Sequence, residues 1–269
     1  MLDSGGYGPV TIAQSVSIIA PAGVYAGISV LSGTGIMVNA PSGAVVLSGL
    51  TIDGLGGTIG IDFQIGDVLR LERITVSGFS SEFSSGLHAS ASAAIVIRDS
   101  VFAKNYWGTL ITSYPSFVTL DIEHSEFSEN FFGAWFGDNV KGVVSSSSFN
   151  GNVNSGAYVQ PTTPVQSTTP AATAFMTFRN CVFSGNGGNG LVTGHPFLTN
   201  AVTVQITGSE FSDNGDAGIA PLFGYTTVSD STVTRNLFGL TFSGGFSFQD
   251  NRLFANGTNG TFNGTVSKQ

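Results

Sequence analysis

The chain has 269 residues with 37 glycines, nine basic and seventeen acidic side chains, and a formal net charge of −8. This length is sufficient for one domain with a continuous core. The scattered basic residues argue against a nucleic-acid partner or an anionic membrane surface, and the net charge disfavours an acidic polymer as substrate.

The N-terminal residues 1–9 lack the basic start and apolar stretch of a signal peptide. No apolar run approaches the eighteen or so residues that span a bilayer. The protein is then either cytoplasmic, or this sequence begins inside a longer precursor. We expect a full-length form that is secreted or bound to the cell surface, in which further natural sequence or an oligomer covers the first coil.

Residues 1–44 are predicted to form irregular first coils, with short apolar alternations at Val16-Ser17-Ile18 and Ile36-Met37-Val38. A regular repeat follows. An asparagine recurs three residues after an apolar residue and shortly before a glycine, in steps of 20 to 34 residues, which is typical of a solenoid. These asparagines are Asn105, Asn130, Asn152, Asn186, Asn214, Asn236 and Asn256.

Two apolar columns accompany the asparagines, a column being the equivalent residues of successive coils. One runs through Ile52, Val76, Phe102, Phe127, Phe149, Phe183, Phe211, Val233 and Leu253. The other, five residues earlier, runs through Leu47, Leu71, Ile97, Ile122, Val144, Phe178, Ile206, Val228 and Phe248. Between them lie small residues that suit a narrow bend: Ser100, Ser125, Ser147, Cys181, Ser209 and Ser231.

Short segments of period-two alternation follow each glycine, as in Gly133-Ala134-Trp135-Phe136, and helical periodicity is missing. The sequence therefore predicts an all-β, single-domain, right-handed parallel β-helix of about ten coils over residues 1–269. We expect each asparagine to take the left-handed backbone conformation of a tight corner, and its amide to bond to the next asparagine about 4.8 Å away. This is an asparagine ladder.

Residues 160–172, QPTTPVQSTTPAA, have no apolar period and are predicted to loop out of the stack. Residues 251–269 are predicted to form the last coil and a tail. The segments LDSGGYGPVTI, VVLSGLTIDGLGGTIGI, FRNCVFSGN and NRLFANGTNGTFNG resemble right-handed parallel β-helix proteins of the pectate-lyase-like superfamily, including a bacterial group of repeat proteins. The resemblance covers the whole chain and implies the fold, which hosts both enzymes and non-catalytic proteins.

The catalytic motifs that this resemblance implies for polygalacturonases, pectate lyases and alginate epimerases do not occur; Gly194-His195-Pro196 is the nearest fragment. We predict no cofactor and no metal. Asp121, Glu123, His124 and Glu126 crowd one strand and its bend, but strand alternation points Asp121 and Glu123 outward while the bend redirects His124 and Glu126, so they do not converge on a metal. If the chain is an enzyme, it is of the polysaccharide lyase or glycoside hydrolase type.

Two further features have structural interpretations. Glu72, Arg98 and Glu123 follow one another in a column, which predicts a surface ion-pair ladder. Cys181 stands alone, so it forms no intramolecular disulfide, and at a bend position it is predicted to be a small buried residue.

One outward column is the candidate site: Asp62, His88, Leu110, Trp135, Tyr158, Val192, Ala220 and Thr241. Its first five members form a shallow groove in the prediction, extended by aromatic residues of the adjoining corner, Tyr106, Trp107, Phe131 and Phe132. Sugar rings would stack on Trp135 and Tyr158. Asp62 and His88 would bond to hydroxyl groups or form a weak general acid–base pair, which lacks a third group to orient it.

Two functions remain open at this point. The first is a non-catalytic scaffold whose aromatic face mediates self-association into a homo-oligomer or contact with a partner. The second is a polysaccharide-binding or polysaccharide-modifying protein. They differ in whether the aromatic face is open to a ligand.

Overall fold

A computed structural model of the chain describes residues 3–162, 172–195, 201–241 and 245–267. Within these ranges the secondary structure is entirely β, and no helix has the length and apolar character to cross a membrane. The strands form three parallel sheets, A, B and C, which follow one another in ten successive coils; in the described part of the chain an eleventh coil adds strands to sheets A and C. Most of the predicted insertion, residues 163–171, lies outside the described residues.

Sheet A has eleven strands and sheet B has ten in the described part of the chain. Sheet A comprises Gly5–Tyr7, Ala26–Val30, Leu50–Gly54, Thr75–Ser77, Val101–Ala103, Glu126–Ser128, Ser148–Asn150, Val182–Ser184, Glu210–Ser212, Thr232–Thr234 and Arg252–Phe254. Sheet B comprises Val10–Ile12, Thr34–Asn39, Ile59–Ile65, Ser85–Ala89, Trp107–Ile111, Phe132–Phe136, Ala157–Val159, Leu191–Thr193, Ala217–Pro221 and Phe238–Leu240.

Sheet C also has eleven strands among the described residues. It comprises Val16–Ile19, Ala44–Ser48, Val68–Glu72, Ala94–Arg98, Val118–Glu123, Val140–Ser145, Thr173–Arg179, Ala201–Thr207, Tyr225–Ser229, Gly245–Ser247 and Gly264–Thr265. The predicted β-helix of about ten coils is confirmed.

The two apolar columns form the core. Phe102, Phe127, Phe149, Phe183 and Phe211 are fully buried, and their rings lie within 7° of parallel from one coil to the next. The strand registers join both columns as predicted as far as Val228 and Leu253. Continuous burial of apolar surface along the axis is the main source of stability in such a stack.

The last coil departs from the predicted alignment. Val228 pairs with Ser247, whereas Phe248 is half-buried beside it, so Phe248 is not the next member of the column. Leu253 lies six positions after Ser247, but Val233 lies five positions after Val228. The corner of the last coil therefore holds one extra residue, which shifts Phe248 out of register.

The asparagine ladder occupies the corner between sheets A and B. Each side-chain amide donates to the Oδ1 of the next asparagine at 2.8–3.2 Å, from Asn105 through to Asn256. The predicted backbone conformation was wrong: the left-handed residue is the one before each asparagine. These residues are Lys104, Glu129, Gly151, Gly185, Asp213, Arg235 and Ala255, with φ between 54° and 65°.

The glycine that follows each asparagine lets the backbones of neighbouring coils lie close together. A Cβ atom at Gly156 would lie 2.6 Å from the carbonyl oxygen of Gly190 and 3.1 Å from Nδ2 of Asn186. Such a contact forces the coils apart, since non-bonded atoms do not approach so closely. The recurrence of glycine at this position therefore follows from the ladder beside it.

The small bend residues between sheets C and A form a second ladder that the sequence analysis did not anticipate. The backbone N–H of Ser100 donates to Oγ of Ser125 at 3.2 Å, and Ser125 N–H donates to Oγ of Ser147 at 3.1 Å. Cys181 and Ser209 continue the pattern toward Ser231. The hydroxyls therefore satisfy buried backbone donors as well as fitting a narrow bend.

Candidate functional site

The candidate column lies on sheet B in the predicted order. His88 is in register with Asp62 on one side and with Leu110 on the other. Leu110 pairs with Trp135, and Trp135 pairs with Tyr158. The residues on either side of each member point into the core, so these five side chains project from the same face of the sheet.

The first two members form a hydrogen-bonded group with a residue that the sequence analysis missed. Nδ1 of His88 lies 2.8 Å from Oδ1 of Asp62, and Nε2 of Gln64 donates to Oδ2 of Asp62 at 2.7 Å. Gln64 lies two residues after Asp62, on the same face of the strand, which is the spacing that would have identified it. Both carboxylate oxygens of Asp62 therefore accept a hydrogen bond.

The carboxylate of Asp62 is less exposed to solvent than its position in an outward-facing column predicts. The residue is only 4 % exposed, whereas the His88 side chain is 29 % exposed. Burial raises the pKa of Asp62, but the hydrogen bonds from His88 and Gln64 oppose this effect and hold the pKa below its ordinary value. Asp62 is therefore an ionised carboxylate at neutral pH.

Aromatic rings cover the adjoining corner and the middle of the column. We call this set the aromatic surface: Phe83, Tyr106, Trp107, Phe131, Phe132, Trp135 and Tyr158. Its rings pair across neighbouring coils, with centroids 5.0 Å apart for Tyr106 and Phe131, and 4.1 Å apart for Trp107 and Phe132. The ring of Trp135 lies 4.9 Å from that of Tyr158 and is perpendicular to that of Trp107.

Phe83 is a part of this surface that the repeat pattern could not identify. It precedes a strand of sheet B in a loop, has a left-handed backbone with φ of 64°, and is 74 % exposed. Its ring lies 5.8 Å from that of Tyr106. Because Phe83 belongs to no column of equivalent residues, the repeat pattern does not predict that it lies at the site.

A groove of about 290 Å³ runs beside these rings. It is lined by Phe83, Trp107, Leu110, Thr112, Trp135 and Thr162. Thr162, at the start of the predicted insertion, donates its backbone N–H to Oδ1 of Asp138 at 2.7 Å. The described beginning of the insertion thus forms part of the groove wall.

The surface ends at Tyr158. Its hydroxyl lies 3.1 Å from both Oδ1 of Asn154 and Oγ of Ser155, and burial raises its pKa. The next members of the column, Val192 and Ala220, are 3 % and 2 % exposed. The open part of the column therefore runs from His88 to Tyr158, which is half-buried and stacks on Trp135.

The charged side chains predicted as an ion-pair ladder lie on sheet C, away from the groove. Arg98 pairs with Asp121 at 3.1 Å and with Glu123 at 3.7 Å, while Glu72 pairs with Arg70 at 3.0 Å. Glu72 thus has a partner on its own strand. Among the described residues, His, Cys, Asp and Glu side chains form no group of three or more that would hold a metal ion.

Cys181 is a buried residue of the second ladder. Its backbone N–H donates to Oγ of Ser209 at 3.1 Å, and burial raises the pKa of its thiol to about 11. The neutral thiol is therefore the stable form, which is unfavourable for nucleophilic chemistry.

The sequence pattern of the family described as "Right handed beta helix region" matches residues 34–220, so the chain belongs to that family. The fold is similar to the crystal structure of pectate lyase Pel9A, at 14% identity and a TM-score of 0.58, covering 96% of this chain and 69% of that one. It is also similar to the A-module of Azotobacter vinelandii mannuronan C-5 epimerase AlgE4, at 15% identity and a TM-score of 0.61, covering 99% and 90%. No curated protein sequence matches this chain.

Proposed function

We propose that this protein binds a polysaccharide chain along the groove of the aromatic surface. The observation that carries the proposal is the combination of Trp107, Trp135 and Phe83 in one open groove whose lining also includes the polar residues Thr112 and Thr162. Sugar rings have apolar faces and polar rims, so a site for them needs aromatic rings and hydrogen-bonding groups side by side.

The arrangement along the axis supports a chain as the ligand. Successive coils repeat at about 4.8 Å, so a polymer lying along the column would meet an equivalent position in each coil. His88, Leu110 and Trp135 occupy three successive coils. The two structural neighbours are named for enzymes of pectate and mannuronan; both are acidic polysaccharides, whereas the net charge of −8 favours a neutral polysaccharide for this chain.

Self-association through the same surface is the second candidate. It is favoured by Phe83 and Phe131, which are 74 % and 36 % exposed. Exposed apolar patches usually mark a contact. We place it second because the other rings of the surface already pack against one another, which leaves Phe83 and Phe131 as its exposed apolar side chains.

The test combines a glycan array with size-exclusion chromatography and light scattering. The variants are Trp135→Ala and Phe83→Ala, and the matched control is Phe175→Ala, whose exposed ring lies on sheet C. We expect a monomer that binds glycan, loses binding in the two groove variants and keeps it in the control. An oligomer that Phe83→Ala dissociates, with no glycan bound, would support the second candidate instead.

A further inference from the structure

We propose that His88, held by Asp62 and Gln64, is a general base that hydrolyses ester groups on a neutral saccharide chain. The inference rests on the proposed function for the positioning of that chain, and goes beyond it by adding a reaction. It starts from the geometry of the three side chains, which supply the third orienting group that the sequence alone did not reveal.

The hydrogen bond to Asp62 fixes the tautomer of the neutral imidazole. An ionised carboxylate only accepts hydrogen bonds, so Nδ1 of His88 carries the proton that lies toward Oδ1 of Asp62. The lone pair of the neutral ring is then on Nε2, for which the described residues provide no hydrogen-bond partner. A base whose second nitrogen is held by a buried carboxylate is the arrangement that general-base catalysis uses.

Gln64 gives Asp62 a fixed role. Its amide occupies Oδ2, so neither oxygen of the carboxylate remains free to act on a substrate. Asp62 and Gln64 are therefore positioning residues, and His88 is the group that meets the reacting atoms. Its side chain is exposed enough to reach water, and its neighbour in register, Leu110, lines the groove.

The composition of sheet B limits the reaction class. Across its strands in the described part of the chain, Asp62 is the one acidic residue and neither Lys nor Arg occurs. Glycoside hydrolysis generally uses a pair of carboxylates. Proton removal beside a uronate carboxylate needs cationic groups that stabilise the charge that develops. Ester hydrolysis needs a base, a water molecule and hydrogen-bond donors to the oxyanion that develops on the carbonyl; His88 supplies the base, and water at this partly exposed position supplies the rest.

The proposed step is balanced without any further reagent. Nε2 of His88 takes a proton from water while the water oxygen forms a bond to the ester carbonyl carbon. The bond between that carbon and the sugar oxygen then breaks, and the imidazolium returns its proton to the sugar oxygen. One water is consumed, and a carboxylic acid and a free sugar hydroxyl are formed. Rings of the groove hold the saccharide so that its ester lies beside His88.

The test uses chemically O-acetylated glucomannan and O-acetylated xylan, with acetate release followed by NMR. His88→Gln should lower the release rate roughly 100-fold or more, since general-base contributions are of that size. Asp62→Asn should lower kcat and leave KM unchanged, a division that a purely structural role would not produce. The matched control is His124→Gln, because His124 is an exposed histidine beside sheet C; it should retain the wild-type rate.

Binding of unacetylated glucomannan and xylan, measured by calorimetry, separates this inference from the proposed function. Binding without acetate release would overturn the inference and leave the proposed function standing. Equal release by wild type and His88→Gln would also overturn it. If the wild-type protein neither binds the unacetylated glycans nor releases acetate, both proposals are overturned.

Discussion

Asn130 donates two hydrogen bonds to a single acceptor, Oδ1 of Asn152, from its backbone N–H at 3.0 Å and from its side-chain Nδ2 at 3.2 Å. Asn152 in turn donates from Nδ2 to the carbonyl oxygen of Phe127 and to Oδ1 of Asn186. One buried amide therefore joins three successive coils and satisfies backbone groups that water does not reach.

Asn152→Ala should destabilise the protein by about 2–4 kcal/mol, because it leaves a buried N–H of Asn130 and a carbonyl of Phe127 without partners. The matched control is Asn256→Ala, at the half-buried last rung, where water replaces the lost bonds and about 1 kcal/mol or less should be lost. Urea denaturation followed by tryptophan fluorescence measures both. Equal losses of stability in the two variants would show that the contribution of a ladder asparagine does not depend on its burial.

Phe149→Ala should cost about 3–5 kcal/mol, since it opens a cavity in the continuous phenylalanine stack. Its ring lies between those of Phe127 and Phe183, with centroids 4.8 and 4.7 Å away. Phe254→Ala is the control, because that side chain is 50 % exposed and should lose less than about 1 kcal/mol. A similar shift of the urea midpoint in both variants would contradict a core role for the stack.

The columns were predictable because each coil repeats the same apolar requirement, so Phe127 and its equivalents share a residue class as well as a position. The left-handed position beside the ladder was not predictable in this way. Its occupants include Lys104, Glu129 and Ala255, which share a backbone angle but no side-chain chemistry. The recurring asparagine marks the corner in the sequence, and the left-handed φ was therefore assigned to it. The structure places that φ at the residue before the asparagine.

The site shows the same limit. The register of Asp62 with His88 followed from counting along coils, because strand alternation is regular there. Phe83 contributes from a loop, and the hydroxyl of Tyr158 is hydrogen-bonded to Asn154 and Ser155, which lie outside the column. Contacts between a corner residue and a strand residue do not recur at a fixed spacing, so the sequence repeat does not predict them.

Two substitutions at left-handed corner positions should change the stability of the protein in opposite directions. Ala255→Gly should stabilise the protein by about 0.5–1 kcal/mol, because glycine removes the strain of a left-handed φ of 56° and outweighs its own entropic cost. Gly185→Ala should destabilise it by about 1 kcal/mol; a Cβ there meets no atom within 4 Å, so strain alone acts. Thermal unfolding of both variants tests this, and shifts of the same sign would refute it.

Cys181 provides a prediction on pH. Burial raises the pKa of its thiol to about 11, from an ordinary value of 9.0. Between about pH 9 and 11 the unfolded chain releases this proton and the folded chain retains it. The stability that the buried thiol contributes is therefore complete below pH 9, falls as pH rises, and is lost above about 11, a change of about 2–3 kcal/mol.

Cys181→Ser isolates that effect, because a serine hydroxyl does not titrate in this range and matches the ladder positions on either side, Ser147 and Ser209. Its hydroxyl should donate to the carbonyl of Arg179, as Oγ of Ser147 donates to Ser145 at 2.8 Å. We expect stability within about 1 kcal/mol of the wild type at pH 7, and a smaller decline between pH 9 and 11. Urea titrations at pH 7, 9 and 10.5 measure the difference. Parallel declines in the two proteins would mean that groups other than Cys181 govern the alkaline loss of stability.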